Sequence, residues 1–85
     1  MQHMMGQTRV AVVQNAIEVL LLHLECLPLS ERTEQLHMWV ESCRREVENW
    51  NISPPTDRER DTVTKRVLAL HVGIAALERE YGALP

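Results

Sequence analysis

The chain has 85 residues, the size of one domain, and 45% of them are apolar, which is enough for a packed core. Its net charge is −3, from 12 acidic and 9 basic side chains, so it lacks the strongly basic balance typical of nucleic-acid-binding domains. We expect one domain over residues 1–85, with residues 1–7 and 83–85 frayed.

Three stretches repeat apolar residues at alternating steps of three and four, the pattern of a helix with one buried face. Their stripes are Val10, Val13, Ile17, Leu20, Leu24 and Leu27; Leu36, Val40, Cys43, Val47 and Trp50; and Val63, Val67, Leu70, Ile74, Leu77 and Tyr81. They predict helices over about residues 8–27, 30–50 and 57–81. Because both connections are short, we expect an all-α, up-down-up antiparallel three-helix bundle.

The first predicted helix is more apolar than a bundle of three requires. Its apolar arc spans roughly 200° of the helical wheel, whereas a surface helix needs about 100°. The surplus predicts a homodimer interface formed by Val12, Ala16, Val19 and His23.

Polar residues interrupt the apolar stretch of the first predicted helix, and a central Glu would cost about 2–3 kcal/mol in a membrane. Neither a membrane span nor a secretion signal is therefore predicted, and we expect a cytoplasmic location.

The second predicted helix follows a break at Pro28 and begins with Ser30 as its N-cap. Cys26 lies just before this turn and Cys43 about 13 residues after it, which separates them by about 20 Å along antiparallel helices. A disulfide needs Cα atoms within about 7 Å. Both cysteines should therefore be free thiols in a reducing compartment.

The third predicted helix follows the break at Pro54 and Pro55, with Thr56 and Glu59 forming a capping box. Gly82 suits the position just past its end. A second apolar strip on its far side is the alternative place for the interface; it consists of Leu68, Val72 and Ala75. Beside the main stripe, Gly73 permits a close approach of backbones or is merely tolerated.

Three histidines are the candidates for site chemistry: His23, His37 and His71. Counted from the turns, they share one level of the bundle to within about one helical turn. Three imidazoles at one level could hold zinc, with Glu41 near His37. However, each lies on a flank of its helix, so His71 can meet His37 in one bundle handedness or His23 in the other, never both. We therefore expect no metal ion and no other cofactor.

No motif for nucleotide binding or nucleophilic catalysis occurs, so an enzyme is not expected. The leading hypothesis is a helical protein–protein interaction, adaptor or regulatory module that self-associates and also binds another protein. One alternative is a nucleic-acid-associated regulator that uses Arg58, Lys65 and Arg66, although interleaved acidic residues disfavour it. The other is a helical bundle that binds a metal or ligand through its histidines.

Overall fold

Three helices account for the fold. The computed structural model describes the backbone of residues 2–82 and the side chains of residues 10–82. It contains α1 (Gln2–Glu25), α2 (Glu31–Asn49) and α3 (Asp57–Gly82), and every pair of helices is in contact. No strand occurs in this part of the chain. The predicted all-α three-helix bundle is confirmed.

The ends of two helices differ from the prediction. α1 begins at Gln2, six residues before the expected start, because Met4, Met5 and Gln7 favour helix and Gly6 alone costs only about 1 kcal/mol. The fraying of residues 1–7 stays a prediction, and residues 83–85 lie outside the described part of the chain. α3 continues through Gly82, which has no positive φ, so the helix ends one residue later than expected and Gly82 is its last residue rather than the position just past its end.

Both predicted helix starts are confirmed by their hydrogen bonds. The backbone N–H of Thr33 donates to Ser30 Oγ over 3.1 Å, which caps α2. At α3 the N–H of Glu59 donates to Thr56 Oγ1 over 3.1 Å, and the N–H of Thr56 donates to Glu59 Oε1 over 3.2 Å. This reciprocal pair is a capping box, and it fixes the direction in which α3 leaves the proline break.

The core is built from the three predicted stripes. Their buried members are Ile17, Leu20, Leu24, Val40, Cys43, Val47, Trp50, Val63, Val67, Leu70, Ile74 and Leu77. Two further residues are buried that the stripes did not include. Leu21 widens the buried arc of α1, and Thr33 is buried because its hydroxyl donates to the carbonyl of Pro28 over 3.0 Å.

Interhelical ion pairs set the register of the bundle. Arg32 pairs with Glu80 at 2.9 Å, and Arg66 pairs with Glu46 at 3.6 Å. The two pairs are fourteen residues apart on each helix, so α2 and α3 run antiparallel without a shift. His23 Nδ1 lies 2.9 Å from Glu78 Oε2, so α1 also contacts α3. Near the Trp50 end of the bundle, Val12 and Val13 line a cavity with Asp61 and Thr64, so α1 and α3 run parallel, with α1 residues level with α3 residues about 50 positions later.

Candidate interaction surface

The two flanks of α1 face different helices. Gln14 and Glu18 line a cleft with Arg44 and Glu48 of α2, so this polar flank is turned towards α2. The opposite flank carries His23, which reaches Glu78 of α3. Two of the polar residues that interrupt the apolar stretch of α1 therefore border α2. The apolar residues of α1 that lie outside its buried stripe consequently face α3 and solvent.

Val12 and Val19 occupy this outward side of α1, with 62% and 44% of their surface exposed. Leu68 and Val72 of α3 are similarly exposed, at 60% and 64%. Counting 100° per residue, both strips point away from α2 and flank the groove between α1 and α3. Together they form one apolar surface, called here the α1·α3 face; it consists of Val12, Ala16, Val19, His23, Leu68, Val72 and Ala75.

The two strips overlap only in part along this face. Val19 is level with about residue 69 of α3, beside Leu68, whereas Val12 is level with about residue 62 and lines a cavity with Asp61 and Thr64. Ala16 and Ala75 are partly buried between the larger side chains. From the sequence alone, the strip of α1 and the strip of α3 were alternative places for the interface. The structure places them next to each other on one side of the bundle.

The three candidate histidines do not come together. His23 pairs with Glu78 of α3, and His71 lies on the same flank of α3 as Glu78, seven residues earlier. His37 lies on the flank of α2 that faces α1, away from the groove that holds His23. The expected common level of the three histidines stays a prediction. The part of the chain described here contains no cluster of three potential metal ligands.

The candidate basic residues are divided between two surfaces. Lys65 pairs with Asp61 at 3.0 Å on the outside of α3, and Arg66 lines the groove towards α2. Arg58 is exposed at the start of α3, where Asp57 and Glu59 flank it. Because acidic side chains lie among all three, they do not form the continuous basic surface that phosphate binding requires.

Sequence reasoning missed two cavities. Trp50 closes one end of the bundle and lines a cavity of about 430 Å³ between α1 and α3, with its Nε1 buried and without a hydrogen-bond partner among the described atoms. Leu36, Trp39 and Gly73 line a groove of about 460 Å³ between α2 and α3. Their only signal in the sequence was two tryptophans and a small residue beside apolar stripes, which does not specify a cavity.

The two cysteines are free, and they differ in environment. Cys26 is exposed in the first turn, whereas Cys43 is buried in the core. Burial raises the pKa of the Cys43 thiol, although the nearby guanidinium of Arg66 opposes the rise. Cys43 is therefore a structural side chain rather than a reactive one.

Comparisons with known proteins identify no relative of the chain. No protein-family model matches the chain, and neither a curated protein nor a solved structure shows a significant match to it. Among the described helices, none has the length and apolar character needed to cross a bilayer.

Proposed function

We propose that the protein is a non-enzymatic interaction module that forms a homodimer through the α1·α3 face and acts as an adaptor or regulator for another protein. The observation that carries the proposal is the exposure of Val12, Val19, Leu68 and Val72 on one side of the bundle. Contiguous exposed apolar surface typically marks a protein interface. Symmetric homodimers are the commonest soluble assemblies, so a second copy is the first partner to consider.

The composition of the face supports a protein partner with an apolar surface rather than a highly charged partner. Its centre carries valine, leucine and alanine, while His23 and Glu78 pair with each other at its edge. An apolar centre with polar groups around it is the usual anatomy of a protein interface. Leu22 borders the face one turn after Val19, and the other large exposed apolar side chains lie apart from it: Leu29, Met38, Trp39 and Ile52. We also propose a reducing, cytoplasmic location, for which the two free thiols are the support.

The test is the substitution Val19→Glu, with sedimentation of the wild type and the variant over a range of concentrations. Val19 is 44% exposed, so a single chain can carry Glu there without loss of its core. In a dry dimer interface the charge would lack a partner and would cost several kcal/mol, twice per dimer. We expect the dimer dissociation constant to rise at least about a hundredfold.

Met38→Glu is the matched control. It introduces the same charge at an exposed apolar residue, 70% exposed, on the outer side of α2. This variant should dimerise as the wild type does. A wild type that sediments as a monomer over the micromolar range would contradict the proposed function. So would a Val19→Glu variant that dimerises as tightly as the Met38→Glu control.

The two other candidate functions gain no support from the geometry. Nucleic-acid binding would need Arg58, Lys65 and Arg66 on one surface, and they are divided by acidic neighbours. A histidine metal site would need His23, His37 and His71 to converge, and the described residues contain no cluster of three potential metal ligands. Self-association through the α1·α3 face is therefore the function we put forward.

A further inference from the structure

We propose that the groove between α2 and α3 binds a small amphipathic carboxylate, a molecule with an apolar body about 10 Å long and a carboxylate at one end. This groove, called here the α2·α3 groove, is lined by Leu36, Trp39 and Cys43 of α2 and by Arg66, Ala69 and Gly73 of α3. The carboxylate would pair with Arg66, and the apolar body would lie along the rest of the groove. The groove is separate from the α1·α3 face, so the inference goes beyond the proposed self-association and does not depend on it.

The length of the groove follows from the contacts at its two ends. At one end Gly73 faces Leu36, whose Cδ2 lies 3.7 Å from a Cβ built on the glycine. At the other end Arg66 of α3 pairs with Glu46 of α2 at 3.6 Å. Seven residues separate Gly73 from Arg66, which is about 10 Å along α3 and about the span of an extended chain of eight carbons. The volume of about 460 Å³ is within the range typical of small-ligand sites.

Small residues of α3 keep the groove open. Ala69 and Gly73 lie one turn apart on the side of α3 that lines it. Glycine is unfavourable in the middle of a helix, and a Cβ at residue 73 would meet its nearest neighbour at an ordinary contact distance. Packing between the helices therefore does not account for Gly73. An open groove does, because a large side chain at this position would occupy it.

Trp39 gives the groove a large apolar wall. Its side chain is 52% exposed, although it is one of only three aromatic residues in the chain. An indole ring gains free energy when apolar surface covers it. A hydrocarbon body in the groove would cover the ring of Trp39 on the side that faces Leu36 and Leu70, which line the same groove.

Arg66 places a cation at one end of this apolar groove. Its side chain is exposed, and its contact with the carboxylate of Glu46 is 3.6 Å, which is longer than a hydrogen bond. A guanidinium has five N–H donors, so Arg66 can bind a second carboxylate without losing its contact with Glu46. Charge complementarity therefore selects an anion at the Arg66 end and an uncharged body at the Gly73 end.

The sparse polar lining favours a small molecule over a peptide. Each residue of a bound peptide would bring one N–H and one C=O group into the groove, and those groups need partners once water is removed. Among the groove residues that the structure describes, Ser42 and Arg66 carry the strongly polar side chains. A hydrocarbon body needs no such partners. The ligand class is therefore a free carboxylate with an alkyl or aryl body.

Octanoate tests the proposal, and 1-octanol is the uncharged molecule of the same chain length. Each is titrated into isotope-labelled protein, and the indole N–H signals of Trp39 and Trp50 are followed by NMR. Octanoate should shift the Trp39 signal saturably and leave the Trp50 signal in place, because Trp50 lines the separate cavity between α1 and α3. A shift of Trp50 without Trp39, or no saturation below about 10 mM, would overturn the proposal.

Two substitutions separate the charged end of the groove from its apolar end. Arg66→Gln should weaken octanoate binding about two- to fivefold, as expected for one exposed ion pair, and should leave 1-octanol binding unchanged. Gly73→Leu should weaken both molecules at least about fivefold, because the leucine side chain would fill the groove. Leucine is also the better helix former, and circular dichroism checks that both variants remain helical.

Arg58→Gln and His71→Leu are the matched controls. They remove the same charge and introduce the same leucine at exposed positions of α3 that do not line the groove. Neither should change the binding of octanoate or 1-octanol. Equal weakening of octanoate by Arg58→Gln and Arg66→Gln would overturn the carboxylate site, because only net charge would then matter. Full octanoate affinity in Gly73→Leu would overturn the groove as the binding site.

Discussion

Gly73 lies in the middle of α3, where glycine costs about 1 kcal/mol relative to alanine. A Cβ built at this position meets only Leu36 Cδ2, at an ordinary contact distance of 3.7 Å. Packing therefore does not require glycine. We expect Gly73→Ala to raise the free energy of unfolding by about 1 kcal/mol and the midpoint of thermal unfolding by roughly 4–8 °C. The reverse change at an exposed neighbour, Ala69→Gly, should lower both; loss of stability in Gly73→Ala would show that the backbones need the space.

The two thiols should react at very different rates. Cys26 is exposed, whereas Cys43 is buried and its thiol has a raised pKa. A labelling reagent therefore reaches Cys43 poorly, and less of its thiol is in the reactive thiolate form. Labelling of the native protein at pH 8 should give one fast and one slow thiol, and Cys26→Ser should remove the fast phase. Because the pKa is raised in the folded state, the protein should also lose stability as the pH rises above about 8.5. Equal labelling rates for both thiols in the native protein would contradict this assignment.

At the scale of the elements, the capping box at the start of α3 is the clearest local determinant. Thr56→Ala removes the acceptor for the Glu59 N–H and should lower the free energy of unfolding by about 1 kcal/mol. Thr62→Ala is the matched control in the same helix. Its hydroxyl only bonds back to the carbonyl of Arg58, so its loss should be neutral or slightly stabilising. Denaturant unfolding measures both, and an equal effect of the two changes would refute the role of the cap.

The extent and burial of the helices follow from local chemistry, which the sequence shows directly. The apolar stripes predicted the core, and Ser30, Thr56 and the prolines predicted where α2 and α3 begin. The sequence left the handedness of the bundle open, because both handed arrangements bury the same stripes. His23 decides it through Glu78, a contact between residues 55 positions apart that no local pattern specifies.

For the whole molecule, that handedness determines the candidate site. In the opposite arrangement, the outward strip of α1 would border α2, and so would the strip of α3. The apolar residues would then form two narrow surfaces on different sides of the bundle. In the observed arrangement the exposed strip of Val12 and Val19 lies on the same side of the bundle as the exposed strip of Leu68 and Val72, and one broad face results. The residues of the site could be read from the sequence, but their union into one surface required the tertiary structure.

Burial of the α1·α3 face in a dimer should couple folding to protein concentration. At concentrations above the dissociation constant, mass action stabilises the folded dimer against unfolded single chains. The midpoint of thermal unfolding should then rise by roughly 3–5 °C for each tenfold increase in concentration. Val19→Glu should abolish this dependence, whereas Met38→Glu should retain it, since Met38 lies on the outer side of α2. A wild-type midpoint that stays constant over a hundredfold range of concentration would mean that the face is not buried by a second copy.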